Sequence, residues 1–289
     1  MSATLDHDAA PATAGDSTAP PRERLVYRQT IATRVTHWVW AACLFFLLLS
    51  GLQIFNAHPT LYIGQQSGFA FDNAVLSMAG EDTEDGPKGI TTIFRHRFDT
   101  TGVLGLSQQG GEATPRGFPA WATIPSTQDL ATGRVVHFFF AWIFVATLLV
   151  WLIASLVNGH LRRDIVPGGR DLRHLPRDIV DHLRLRFAHK RGYNTLQKLT
   201  YAGVLLVLFP TLIVTGLSMS PGMNAFAPWL VDLFGRQTAR TLHFGAMTLL
   251  VAFFIVHILM VFAAGPINEM RSMVTGWYRV KSTDRSNEA

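Results

Sequence analysis

The sequence has a single cysteine, Cys43. An internal disulfide needs two cysteines, and both iron–sulfur clusters and covalently attached c-type haem also need more than one. All three kinds of site are therefore excluded within this chain. Any redox cofactor must be held by other side chains.

Charged residues are also scarce, at 16% of the chain against about 25% in soluble domains. A span needs roughly 20 apolar residues to cross a bilayer, and a soluble helix of that length would show a polar face. The sequence therefore predicts an all-α fold, an integral membrane four-helix bundle with spans at about 33–56, 132–158, 196–220 and 238–264. Four windows lack Asp, Glu, Lys and Arg altogether: Val35–Phe55, Val135–Val157, Leu199–Ser220 and Leu242–Gly265.

The first 24 residues lack the basic segment and apolar core of a secretory signal. They are rich in Ala, Pro, Asp, Ser and Thr, which predicts a disordered cytoplasmic tail over 1–24. The transmembrane domain is expected over 25–280, and a second cytoplasmic tail over 281–289.

Lysine and arginine are unevenly distributed among the connections. The N-terminal segment through Arg34 holds four, the connection 162–198 ten and the C-terminal tail four, against seven in the other two connections. Such an excess marks the cytoplasmic side, so both termini and the middle connection are expected there. A solvated or nucleic-acid-binding face is the alternative, but four adjoining spans favour the topological interpretation and no nucleic-acid partner is expected.

The connections between spans differ in character. The connection 57–131 is long, rich in Gly and Pro, and carries scattered aromatic residues, which favours an ordered outer cap over a disordered loop. Short surface helices are expected at Asp171–Phe187, Ala225–Phe234 and Ile267–Tyr278. Pro210 is expected to kink the third span.

Four histidines lie within the spans: His37, His137, His243 and His257. Ionisable residues inside a bilayer usually serve function. The two on the fourth span are fourteen residues apart, which places them on nearly the same face and roughly 21 Å apart along the axis. Depth therefore pairs His37 with His257 on the inner side, and His137 with His243 on the outer side. One such histidine could simply bond a neighbouring helix, but two depth-matched pairs favour two iron sites, each held from both axial sides by imidazoles.

An arginine precedes three of these histidines by three residues, on the same helix face. We expect these arginines to bind haem propionates in charge-assisted pairs; the alternative is that they extend to the lipid headgroups. The repeats are Arg34-Val35-Thr36-His37, Arg134-Val135-Val136-His137 and Arg240-Thr241-Leu242-His243.

With these motifs the sequence resembles the four-helix cytochrome b subunits of formate dehydrogenase, nickel–iron hydrogenase and thiosulfate reductase. The resemblance covers all four spans and their histidine pattern of one, one, none and two. The fuller likeness is to members that accompany molybdopterin oxidoreductases. The matching segments are Arg34–Trp38, Arg134–His137, Tyr193–Lys198 and Arg240–His257.

The resemblance implies two non-covalent haem b groups in a bacterial cytoplasmic membrane. It implies electron transfer between a quinone pool and a periplasmic redox subunit, either a molybdopterin or an iron–sulfur protein. The family's quinone site lies near the inner haem, with an Asn ahead of the third helix that Asn194 matches, beside Gln197 and Lys198. Asn194 is equally suited to cap that helix. The long outer connection departs from short-loop members, so the partner stays open, as does a homo-oligomer.

Two rival functions remain at this point. One is a stand-alone haem b quinone reductase that oxidises a small outer reductant such as superoxide. The other is a haem-free transporter with a histidine proton relay, which the lack of Asp, Glu, Lys and Arg within the four windows disfavours. Bis-histidine ligation leaves no open iron position and favours electron transfer, so we expect an electron-transfer subunit.

Overall fold

The computed structural model describes residues 23–169, 173, 175, 176, 178–180 and 195–281. The predicted tails, apart from residues 23, 24 and 281, lie outside this range, and so does Asn194. In chain order the elements are β1 (Glu23–Tyr27), α1 (Ile31–Asn56), β2 (Thr60–Tyr62), β3 (Ala74–Thr83), β4 (Gly86–Ile93), β5 (His96–Asp99), β6 (Gly105–Gln109), β7 (Glu112–Arg116), a 3-10 turn (Ala120–Ala122), α2 (Leu130–Val157), a π-helical turn (Leu161–Ile165), α3 (Thr195–Met219), α4 (Pro221–Phe226), α5 (Trp229–Phe234), α6 (Arg236–Ala264), α7 (Pro266–Thr275) and β8 (Trp277–Lys281).

Four of the helices, α1, α2, α3 and α6, are long and apolar enough to cross a membrane, which confirms the four predicted spans. The first two begin at side-chain caps. Thr30 accepts a hydrogen bond from the Thr33 amide, and Asp129 accepts one from the Thr132 amide. Hydrogen bonds from Thr132 hold the pKa of the Asp129 carboxyl below its usual value, so this cap is charged at neutral pH, as the positive end of a helix dipole favours.

Helix α3 is irregular where Pro210 was expected to distort it. A π-helical turn, Val204–Leu208, interrupts it directly before the proline. Proline has no amide hydrogen for the bond to the preceding turn, and π-helical turns commonly accommodate such a break.

The four long helices form a bundle in which α1 packs on α2 and α3 packs on α6. Its buried middle layer is apolar and largely aromatic, while much of the outer helix surface is exposed apolar side chain, as a lipid-facing surface requires. The buried residues of this layer are Cys43, Phe144, Leu148, Val204 and Phe209.

The cap, residues 57–131, corrects the all-α prediction, because it folds into antiparallel strands. One sheet has the order β2-β3-β4-β5, and β6 pairs with β7. Two-residue turns close three of the hairpins, and Gly110 and Gly111 have φ of 63° and 90° between β6 and β7. Positive φ at both positions suits the right-handed twist of a hairpin. The strands were missed because they lack a regular alternation of apolar and polar residues.

Strands β1 and β8 form a second β feature, an antiparallel terminal ribbon running from Glu23 paired with Lys281 to Tyr27 paired with Trp277. Residues 23, 24 and 281, assigned to tails by the sequence, are therefore strand residues. The ribbon lies at the opposite end of the bundle from the cap. We call these the ribbon end and the cap end.

The short helices were predicted approximately. Segment 225–234 overlaps α4 and α5, and segment 267–278 contains most of α7 and the start of β8. Within 171–187, the described residues 173, 175, 176 and 178–180 are helical.

Candidate cofactor-binding site

A cavity of about 3120 Å³ lies among the long helices, and all four span histidines line it. Sites for drug-sized ligands usually measure roughly 300–1,000 Å³. The cavity is therefore large enough for cofactors well beyond that size. Its lining also reaches both ends of the bundle, from Arg24 near the terminal ribbon to Arg236 near the cap.

The histidines face one another across this cavity in two pairs. The ring centroids of His37 and His257 are 6.4 Å apart with an interplanar angle of 54°. Those of His137 and His243 are also 6.4 Å apart, at 59°. Two imidazoles on opposite sides of one metal ion need about 6.4 Å between centroids, from metal–nitrogen bonds of about 2.0–2.1 Å and about 1.2 Å from nitrogen to ring centre. Both pairs have the separation of two axial ligands.

Hydrogen bonds orient the ring of His137. Its Nδ1 lies 3.1 Å from the Ser50 hydroxyl, which in turn donates to the Phe46 carbonyl at 2.6 Å. Because the hydroxyl has one hydrogen and uses it on that carbonyl, Ser50 accepts from Nδ1–H. The other nitrogen, Nε2, then carries its lone pair free for a metal.

His243 is oriented in the same way from the other half of the bundle. Its Nδ1 lies 3.0 Å from Thr215 Oγ1, which donates to the Thr211 carbonyl at 2.5 Å. A glycine follows each hydroxyl residue, and a Cβ on Gly51 or Gly216 would lie 3.3 or 3.4 Å from the Cε1 atom of the facing histidine. Both glycines thus make room for an imidazole.

Sequence reasoning missed the roles of Ser50 and Thr215. The sequence signal that could have revealed these roles is a hydroxyl residue followed by a glycine, at the same membrane depth as a histidine on the neighbouring helix.

The ribbon-end pair has a different environment. His37 Nδ1 is buried and has no hydrogen-bond partner among the described residues. Aromatic rings flank both imidazoles: Trp38 meets His37 edge-on at 5.2 Å, and Phe253 stacks on His257 at 5.8 Å. A nitrogen buried without a protein partner leaves capacity for a bound group.

The three arginines of the repeats occupy different positions. Arg134 and Arg240 line the cavity at the cap end, and the Arg240 guanidinium donates to the His58 carbonyl. Arg34 instead donates to the Val274 carbonyl on α7 at 2.5 Å and is not among the described residues that line the cavity. Propionate binding by these arginines stays a prediction.

Two of the predicted quinone residues, Gln197 and Lys198, lie in the first turn of α3. Gln197 lines the cavity, and Lys198 follows it on the helix. The first amide of the helix, that of Thr195, donates to the Asp178 carboxylate at 3.0 Å. Asp178 therefore caps this helix start, a contact that sequence reasoning did not find.

A buried arginine fixes the cap to the bundle. Arg116 is 3% exposed, and burial lowers the pKa of its guanidinium. One acceptor is the amide of Gln53 on α1, at 3.4 Å, two residues beyond Gly51. The remaining acceptors, all neutral, are the carbonyls of Phe118 and Ser126 and the side chains of Gln109 and Thr123.

Two comparisons with known proteins show similarity over parts of the chain. Residues 169–276, which include α3 and α6, match the family model described as prokaryotic cytochrome b561. The chain is also 26% identical over 231 residues to the putative protein-methionine-sulfoxide reductase subunit YedZ1 of Azospira oryzae, covering 79% of this chain and 86% of that protein. Both similarities support a membrane haem b electron-transfer protein.

The geometry of the site fits haem b. Within the described part of the chain, no group of three or more His, Cys, Asp or Glu side chains could hold a metal ion, so a bare ion would lack ligands. A porphyrin supplies four equatorial nitrogens and needs from the protein only two axial ligands. Each histidine pair offers those two, at the separation that axial ligation requires.

Proposed function

We propose that this cytochrome b holds two haem b groups, one between His37 and His257 and one between His137 and His243. Through them it would pass electrons between a membrane quinone pool and a partner redox subunit. The observation that carries the proposal is the presence of two histidine pairs with equal centroid separations, 6.4 Å, on one cavity.

Bis-histidine ligation supports electron transfer because it leaves no iron position open to oxygen or substrate. Bound haem supplies a one-electron iron couple. One histidine of each pair lies on helix α6, and these two, His243 and His257, are roughly 21 Å apart along its axis. The apolar layer around Phe144 and Phe209 lies between them along the bundle.

The charge distribution supports an orientation for this transfer. The ribbon end joins the basic connections and would face the cytoplasm, which leaves the cap outside. The cap would then receive the partner, a molybdopterin or iron–sulfur subunit. The relative from Azospira oryzae is named as a subunit of a reductase, which agrees with a chain that works with a partner.

A quinone is proposed at the ribbon end, beside His37 and His257. Gln197 supports this place because its amide lies on the cavity wall and an amide can bond a quinone carbonyl. Asn194 and Lys198 are proposed to contribute from the same helix start.

Quinol-driven haem reduction tests the proposal. The oxidised protein is mixed with menadiol, a naphthoquinol, and the haem α-band is followed in time. We expect reduction in the wild type, slower reduction in Gln197→Ala, and an unchanged rate in the control Gln237→Ala, whose glutamine lines the same cavity at the cap end. A wild-type protein that dithionite reduces but menadiol does not would refute quinone oxidation.

A further inference from the structure

The ribbon end of the cavity is closed by β1, α7 and β8. Trp38, next to His37, donates from its indole to the Met273 carbonyl on α7 at 3.1 Å. Asn268 on the same helix bonds the Arg279 carbonyl of β8 at 2.9 Å. These contacts hold α7 and the terminal ribbon against the helix that carries His37.

This closing assembly places a carboxylate on the cavity wall. Of the described residues that line the cavity, Asp178 and Glu269 carry carboxylates, and Asp178 is engaged at the start of α3. Glu269 lies one helical turn before Met273, on the same face of α7. It is therefore the carboxylate held close to the helix end that bears His37.

Glu269 forms a long ion pair with Arg28. Its Oε1 lies 3.6 Å from Arg28 Nη1, and both side chains are 26% exposed. That distance exceeds a hydrogen bond and is long enough for water to take part in the contact. A carboxylate in this position can exchange protons with water at the mouth of the cavity while still facing the cavity.

Tyr278 completes the cluster. The Arg28 guanidinium lies 4.6 Å from the centre of its ring, and the side chain is buried. Burial and the negative charge of Glu269 raise the pKa of the Tyr278 phenol. The phenol therefore stays protonated at neutral pH, so that the carboxylate of Glu269 is the proton acceptor of the cluster.

We propose that Glu269, held by Arg28 beside Tyr278, exchanges protons between a quinone in the ribbon-end cavity and the water outside. The inference rests on the proposed quinone function. In the oxidising direction the quinol loses two electrons, one to each of two ferric haems, and its two O–H bonds break. Glu269 takes the protons one at a time and returns each to water, and quinone and two ferrous haems remain. Quinone reduction reverses every step.

The charged and titratable groups around Glu269 define what a pH profile would report. Those that line the cavity near it or lie on the adjoining elements are Glu23, Arg24 and Tyr27 of β1, Arg28 directly after it, Tyr278, Arg279 and Lys281 of β8, Arg271 of α7, Asp178 across the cavity, Arg34 and His37 of α1, and His257 of α6. Substitution of Glu269 leaves all of them in place, so a change in the profile is assigned to its carboxylate.

The test is stopped-flow reduction of the haems by menadiol between pH 5 and 8, in wild type, Glu269→Gln and the control Glu112→Gln, an exposed carboxylate on the cap. A positioned acid–base group contributes roughly 100-fold or more. We expect Glu269→Gln to be slower by about that factor throughout this pH range, with haem content and dithionite reduction unchanged. Glu112→Gln should match the wild type.

The outcomes separate the two proposals. If menadiol does not reduce the wild type at any pH, the quinone function fails. If it reduces wild type and Glu269→Gln at equal rates with the same profile, the role of Glu269 is overturned and the quinone function stands. If Glu269→Gln loses haem, the same measurement is made on the double variant Arg28→Gln and Glu269→Gln, whose two amides can still bond each other. Slow reduction of its haems by menadiol supports the role of Glu269, and reduction at the wild-type rate overturns it.

Discussion

The hydroxyl of Ser50 on α1 accepts a hydrogen bond from His137 Nδ1 on α2, over 3.1 Å. Thr215 on α3 does the same for His243 on α6. Both cap-end imidazoles are thus oriented by the neighbouring helix, and the same contact makes their Nε2 atoms stronger donors to iron.

We expect Ser50→Ala and Thr215→Val to raise the midpoint potential of the cap-end haem. Without the hydrogen bond the imidazole is a weaker donor and stabilises ferric iron less. A tenfold change in the relative affinity of the imidazole for ferric and ferrous iron corresponds to about 59 mV for one electron. The shift should be no larger than about that value, because the Leu47 and Leu212 carbonyls remain as acceptors. Optical potentiometry measures it.

Thr248→Val is the matched control for these variants. Its hydroxyl donates to the Phe244 carbonyl one turn earlier, as those of Ser50 and Thr215 do to theirs, but it is exposed. Its potentials should equal those of the wild type. Potentials that stay unchanged in both Ser50→Ala and Thr215→Val would show that the hydroxyls do not tune the iron.

Valine at Gly51 or Gly216 should lower the haem content at the cap end. A Cβ at these positions already meets the facing imidazole at 3.3–3.4 Å, and two further methyl groups would displace the ring. The haem-to-protein ratio of the purified variants is the measurement. Gly245→Val is the control, because a Cβ there meets no atom within 4 Å; equal haem loss in all three would point to general damage to the bundle.

Replacing Arg116 should loosen the cap from the membrane domain. Arg116→Met leaves several buried acceptors unpaired, at about 1–3 kcal/mol each, so the unfolding free energy should fall by about 3 kcal/mol. Thermal unfolding in detergent and the rate of proteolysis within the cap report this loss. Arg95→Met, at an exposed turn of the same cap, should change neither, and equal behaviour of the two variants would contradict the anchoring role.

The spans and the histidine pairs could be predicted because the signals are local. Charge-free windows mark the spans, and a fixed rise per residue sets the depth of His243 and His257. His137 and His243 then face each other if their helices, α2 and α6, run side by side.

The cap and the supporting hydroxyls could not be predicted from local signals. Strands β2 to β7 lack a regular alternation of apolar and polar residues that would mark them in the sequence. Ser50 and Thr215 resemble ordinary helix hydroxyls that bond the preceding turn, and only helix packing shows which histidine they face. The partner of Arg34 was missed because α7 folds back on the start of α1.

The central claim is that the two histidine pairs bind two haems independently. The most direct measurement is the haem-to-polypeptide ratio of the purified wild type and of two double variants, one with His37 and His257 replaced by Ala and one with His137 and His243 replaced by Ala. We expect a haem-to-polypeptide ratio of about two for the wild type, since each pair supplies both axial ligands of one haem, and about one for each double variant. A wild-type ratio of one, or a double variant that keeps the wild-type ratio, would contradict it.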